Sequence, residues 1–307
     1  MRVCFLVLLA VLVLPAVGAE ARSHYRAASG ALADGRIAWR AWTDAGGPQM
    51  LVVDPVSFVV AVVAGSPSEL AARTEGGTPW DLWRAAATQH REALQNAGIR
   101  RARPLRTGAW LTFDLCPSEH PLDRSVLVDL ERDATPLPVF LEVSGRWMET
   151  HPADLTWLIA ERNAGRLAVT WVNHTEHHFY KPGVPLDHNF LLLPDTDLEA
   201  EIFAVEQRLL DRGELPSVFF RFPGLVSSPE LVDRVLALGL LPLGSSAWLA
   251  KQQSVKSGAI VLTHANGNEP VGEALLEQWD HGHRPDLADG TWHWLGLADW
   301  AHALPPL

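Results

Sequence analysis

The sequence predicts an α/β fold of parallel strands with covering helices, open or closed into a barrel. Three observations carry this. From residue 109 onward short apolar runs alternate with amphipathic segments, and the runs have the length and β-branched or aromatic content of buried strands. Several runs also end on a polar or charged residue, as strands do where loops begin.

The first residues stand apart from the fold. Met1-Arg2 is a short positive start, Val3 to Val17 is apolar, and Val17-Gly18-Ala19 fits a small-residue cleavage pattern. Residues 1–19 therefore read as a secretory signal peptide. The apolar stretch falls short of the roughly 20 residues that span a bilayer, so no stable membrane insertion is expected after cleavage. The absence of any wall-binding repeat favours the periplasm. Of the two cysteines, Cys4 lies in that peptide, which leaves Cys116 alone and predicts no internal disulfide.

Residues 22–48 are polar and Gly/Ala-rich without a clear period, and are expected to be partly extended. "MLVVDPVSFVVAVVA" (50–64) is β-branched with a Pro break and reads as two strands or a hairpin. "WDLWRAAATQHREALQNA" (80–97) reads as a helix starting near Thr78 or Pro79. Residues 20–105 thus form an N-terminal α/β extension, a candidate to complete the sheet of the domain after it (106–307). In that domain strands are predicted at 109–113, 137–143, 167–172, 216–220, 240–243 and 259–263. Helices are predicted at 122–132, 152–164, 197–212, 228–238 and 270–279.

The formal charge is −11, with acids scattered rather than clustered. Nucleic-acid binding wants a basic stripe, and an anionic membrane surface is an equally poor match. A neutral substrate fits better. The 13 tryptophans add a weak hint of sugar rings, although most are expected to pack internally.

Strand ends are where such folds collect their chemistry. Asp114 follows 109–113; Asn173, His174, Thr175, Glu176, His177 and His178 follow 167–172; Arg221 follows Phe220; His264 follows 259–263. An acid, a histidine cluster, an arginine and a histidine are delivered to one face. Asp114 alone could cap a helix or close a turn, and Arg221 or His264 alone could be rim residues. The pair His174 and His178 is more specific, since histidines four apart on a helical turn can share one metal ion.

These residues resemble the polysaccharide deacetylases of the NodB-homology type, the family 4 carbohydrate esterases. Thr112-Phe113-Asp114-Leu115-Cys116-Pro117-Ser118 is similar to their first motif, Thr-Phe-Asp-Asp-Gly-Pro-Ser. His174-Thr175-Glu176-His177-His178 matches His-Ser/Thr-x-x-His, Arg221-Phe222-Pro223 resembles Arg-x-Pro, and Leu262-Thr263-His264 fits Leu-x-His. The resemblance covers about 109 to 280 and does not reach 20–105. It implies a distorted (β/α) barrel that removes acetyl groups from N-acetylated or, less often, O-acetylated glycans with a divalent metal, most often zinc. Under it His174 and His178 hold the metal, Asp114 is the general base, Arg221 orients it and His264 is the general acid. Leu262 and Trp248 line the acetyl pocket, with Phe222 and Pro223 as further substrate contacts.

Leu115 departs from the pattern, because relatives place there the Asp that is the third metal ligand, and leucine cannot coordinate. Four outcomes are open. Asp114 leans onto the metal; a carboxylate such as Glu142 fills the gap; two histidines and waters hold the ion weakly; or catalysis is lost. Cys116, where relatives have Gly, is a further donor whose direction the sequence does not fix. The leading expectation is an exported metal-dependent deacetylase. The alternatives are a non-catalytic sugar-binding envelope protein on the same barrel and a metal-dependent amidase on a non-sugar substrate. The sequence does not specify the oligomeric state.

Overall fold

A computed structural model of the protein describes residues 22–73, 76–132 and 134–306; the expected signal peptide lies outside the described residues. The described chain opens with a four-stranded antiparallel sheet, β1 (Ser23–Ala31), β2 (Ile37–Asp44), β3 (Gly47–Val53) and β4 (Val60–Ala64), in the order β1-β2-β3-β4. The stretch 22–48 is therefore more regular than its sequence suggested. A register shift between Ala38 and Arg40 breaks the period of two, which hid strand β2. The hairpin expected over 50–64 is the β3–β4 pair.

Helix α1 (Pro79–Ala87) starts with a capping box between Thr78 and Asp81, with Pro at its first position. It ends well before the expected residue 97. Beyond it His90 and Asn96 take left-handed backbone angles, φ 63° and 69°, which a helix cannot continue through.

The second sheet is a curled parallel one. It contains β5 (Gly108–Leu115), β6 (Leu137–Val143), β7 (Leu167–Asn173), β8 (Phe219–Phe220), β9 (Leu241–Pro242), β10 (Ala247–Trp248) and β11 (Ile260–Thr263), in the order β10-β11-β5-β6-β7-β8-β9. β12 (His293–Trp294) pairs with the start of β5. Covering helices are α2 (Arg124–Glu131), α3 (Gly145–Thr150), α4 (Pro152–Asn163), α5 (Leu198–Leu210), α6 (Pro229–Ala237), α7 (Pro270–Ala288) and α8 (Leu297–His302). This is the distorted (β/α) barrel that the sequence led us to expect. α7 runs past the predicted end at 279, and α3, α8 and β12 were not anticipated.

The four N-terminal strands make their own sheet rather than completing the barrel. Only the chain that follows them reaches the seam between β9 and β10, where Ile99 bridges Leu243 and Arg101 bridges Ala259. One hydrophobic cluster nevertheless joins Trp39, Trp80 and Trp83 to the barrel residues Trp110, Phe140 and Phe219. Trp83 stacks on Trp300 with ring centroids 4.3 Å apart. A fully buried Arg40–Glu206 ion pair at 2.6 Å adds a polar tie between β2 and α5. Among the described residues no helix is long and apolar enough to cross a membrane.

Strand β5 sets the orientation of everything that follows. Its residues alternate between two cores. Leu111, Phe113 and Leu115 face the helix layer, while Trp110 faces the barrel interior. A strand's side chains alternate with a period of two, so Thr112, Asp114 and Cys116 share the interior direction.

Candidate active site

Register brings the site together. Leu115 pairs with Val143, Val143 with Asn173, and Asn173 with Phe220. The next residue on each strand is Cys116, Ser144, His174 and Arg221, so these lie in one row at the open end. On the other side of β5, Thr263 pairs with Phe113, which sets His264 beside Asp114.

Asp114 is buried and its Oδ1 accepts from Arg221 Nη1 at 3.0 Å. Its Oδ2 lies 3.8 Å from His174 Nε2. Arg221 is fully buried. Its Nη2 donates to Thr112 Oγ1 at 3.1 Å and stands 3.3 Å from Glu142 Oε1. Glu142 faces Arg221 from the neighbouring strand and does not reach the histidines. Burial pushes its carboxyl well above the usual range, despite Arg221 and with help from Asp114.

The histidines are oriented as ligands. His174 Nδ1–H donates to the Arg221 carbonyl at 2.9 Å, which leaves the Nε2 lone pair pointing into the site. His178 Nε2 is buried without a hydrogen-bond partner. Burial lowers both imidazoles to about 3, His178 also through His174, so both are neutral donors at ordinary pH. Cys116 Sγ is 3.4 Å from His174 Nε2 and 3.6 Å from His264 Nε2. Burial first, then Asp114, keeps its thiol well above the ordinary value. One donor atom each from Cys116, His174 and His178 lies within 4.8 Å of the others. A buried, unpartnered imidazole nitrogen among further nitrogen and sulfur donors fits a borderline-soft divalent ion such as zinc. Asp114, expected as a possible ligand, is not one of those three, although its Oδ2 lies 3.8 Å from His174 Nε2.

The segment carrying the histidines is strained and braced. Thr175 and His178 take φ of 67° and 48°, unusual for side chains of their size. Asn173 Oδ1 accepts from Thr175 N at 3.0 Å. Glu201 on α5 accepts from His177 N at 2.9 Å and pairs with His177 Nδ1 at 2.6 Å. Glu176 receives Arg208 of the same helix at 2.9 and 2.5 Å. A Cβ at Gly145 would lie 1.7 Å from Glu176 Oε2, so a larger residue there would push the Glu176 carboxylate aside. Glu201 and Arg208 were missed by the sequence reading. Their signal was present, since Glu201, Val205 and Arg208 fall on one helical face.

His264 Nδ1 stands 3.1 Å from Glu269 Oε2, too oblique for a good hydrogen bond. The same oxygen accepts from Trp248 Nε1 at 2.8 Å. Burial would raise Glu269, but its contacts with His264 and Trp248 outweigh that and hold it below the usual value. Glu269 had no sequence signal beyond its place in the loop after His264.

These residues open into a cavity of about 770 Å³. Asp114, Cys116, His178, His264, Trp248 and Leu262 all line it, with Phe179, Tyr180 and Phe190 on one wall. Phe222 and Pro223, expected as substrate contacts, do not. Phe222 turns inward and packs edge-on to Phe220 with centroids 4.9 Å apart, and Pro223 is buried at the start of a tight turn. The cavity wall there is Gly224 and Leu225 instead.

Fold and cleft together define a distorted (β/α) barrel with a histidine–carboxylate–thiol site at the carboxyl ends of its strands. Among solved structures it shares the fold of a family 4 carbohydrate esterase from Bacillus anthracis, with a TM-score of 0.50 at 20% identity over 72% of this chain and 90% of that one. A family 4 carbohydrate esterase of Bacillus subtilis aligns at 16% identity and a TM-score of 0.49, over 69% of this chain and 93% of that one. The chitin deacetylase of the fungal pathogen Colletotrichum lindemuthianum aligns at 15% identity and a TM-score of 0.45, over 64% of this chain and 89% of that one. No family model matches the chain.

Proposed function

We propose that this protein is an exported, metal-dependent hydrolase that removes acetyl groups, chiefly N-acetyl, from a polysaccharide or oligosaccharide. The observation that carries the reading is the convergence of Asp114, His174, His178, Arg221 and His264 from four strands on one cleft. His174 and His178 would hold a divalent ion, which would supply Lewis acidity for a carbonyl oxygen and for an attacking water. Arg221 fixes the Asp114 carboxylate by a direct contact at 3.0 Å, so that Asp114 Oδ2 is the free oxygen able to take a proton from water. His264, beside Asp114 on the adjacent strand and 3.1 Å from Glu269, is the group that would return a proton to the departing amine. The indole of Trp248 and the side chain of Leu262 offer an apolar surface for the acetyl methyl. A neutral glycan suits a cleft in an acidic protein. Export rests on the sequence of residues 1–19, and the periplasm is the compartment we assign.

One observation favours a second reading. Cys116 Sγ, His264 and Glu269 line up as nucleophile, base and orienting carboxylate. Against it, a nucleophilic thiol needs a lowered pKa, and burial with Asp114 nearby raises that of Cys116.

The test is acetate release from N-acetylglucosamine oligomers and from a chromogenic acetate ester. Zinc- or cobalt-loaded protein should hydrolyse them, with activity lost on chelation and in His174→Ala. No hydrolysis across a broad acetylated panel would leave the non-catalytic sugar-binding reading in place of this one.

A further inference from the structure

We propose that Cys116 supplies the third protein ligand of the metal centre as a thiolate, making a Cys-His-His site and leaving Asp114 free to act as base. This rests on the metal-dependent reading above and answers what replaces the missing carboxylate at Leu115.

The argument begins in strand β5. Leu115 is fully buried in the helix-facing core and carries no donor atom. Cys116 is the next residue to share the interior face with Asp114. It also stands in the strand-end row that contains His174. The loop holding it is fixed rather than free: Asn266 Nδ2 donates to the Cys116 carbonyl at 2.8 Å, and Ser118 Oγ donates to the Asn266 carbonyl at 2.6 Å.

Distances agree with shared coordination. A zinc ion with a sulfur at about 2.3 Å and an imidazole nitrogen at about 2.1 Å, set tetrahedrally, holds those two atoms roughly 3.6 Å apart. Cys116 Sγ and His174 Nε2 are 3.4 Å apart. The unpartnered Nε2 of His178 closes the triangle, with all three donors within 4.8 Å. Asp114 is not among the three; its Oδ1 is held by Arg221 and its Oδ2 stands 3.8 Å from His174 Nε2. Sulfur in place of a carboxylate shifts the preference of the site toward zinc and cobalt and away from magnesium, calcium and manganese.

Cobalt(II) uptake separates the possibilities, read as bound metal and as near-ultraviolet and visible absorption. It is measured in the native protein, Cys116→Ser and Cys116→Asp, with circular dichroism to confirm folding. The native protein should bind stoichiometric cobalt with an intense thiolate-to-cobalt charge-transfer band. Both variants should lose the band, and Cys116→Asp should still retain cobalt through its carboxylate. Cobalt bound by the native protein without the band, or a band that survives in Cys116→Ser, overturns the thiolate ligand and leaves the hydrolase reading standing. No cobalt uptake by the native protein overturns both. Acylation of Cys116 by an acetate ester while cobalt stays bound overturns the ligand role in favour of a nucleophile.

Discussion

Two buried acids on neighbouring strands, Asp114 and Glu142, share one buried guanidinium. Arg221 touches both, and its own backbone carbonyl fixes the tautomer of His174. Breaking a buried ion pair from one side leaves an uncompensated charge and costs about 3–5 kcal/mol. Arg221→Met is therefore expected to lower the urea-unfolding free energy by that amount. Adding Glu142→Leu should recover part of it, because one of the stranded acids is then removed. An Arg221→Met protein as stable as the native one would show that the pair contributes nothing. At this scale the sequence was legible where a charged residue ended an apolar run, as with Asp114, Arg221 and His264. It was not legible at Cys116. Reading the motif by alignment pointed to Leu115 as the deficient position, whereas the alternation of strand β5 puts Cys116 on the working face. The period of two was visible in the sequence, but where the strand stopped was not.

At the scale of elements, α5 and α7 do more than cover the sheet. Through Glu201 and Arg208, α5 pins the histidine segment, which explains how strained angles at Thr175 and His178 persist. The first turn of α7 carries Glu273, whose carboxyl is raised to about 7 by burial, then by Asp123, the residue that caps α2. Its proton is thus held more tightly in the folded chain than in the unfolded one, where the ordinary value is 4.5. The stabilising contribution is fully present below 4.5 and is lost as pH rises through about 7. Glu273→Gln, which mimics the protonated acid, should flatten the stability profile across that window. An unchanged slope in thermal melts from pH 4.5 to 7 would contradict the assignment. Helices with a clear cap and apolar stripe were legible, as α5 and α6 show with Asp197 and Ser228 at their starts. α1 was overextended because nothing in "HREALQNA" announces the left-handed angle at His90.

For the whole molecule, the alternating pattern from residue 109 was enough to foresee parallel strands under covering helices, because parallel strands buried on both faces read as uninterrupted apolar runs; the motif resemblance is what pointed to a closed barrel. The N-terminal sheet was harder to read. Its second strand is bulged and carries a buried arginine, so its pattern matches neither a strand nor a helix period. Its tryptophans instead pack against the barrel's interior core, leaving the opposite, carboxyl end of the strands as the open cleft. The central claim is that this cleft is a working hydrolytic site with Asp114 as its base. The most direct measurement is acetate release from N-acetylglucosamine oligomers by zinc-loaded native protein beside zinc-loaded Asp114→Asn. The account predicts steady release by the native protein and at least about a hundredfold less by the variant, the scale of a lost general base. Equal release by the two proteins, or none by the native protein with its zinc in place, would contradict it.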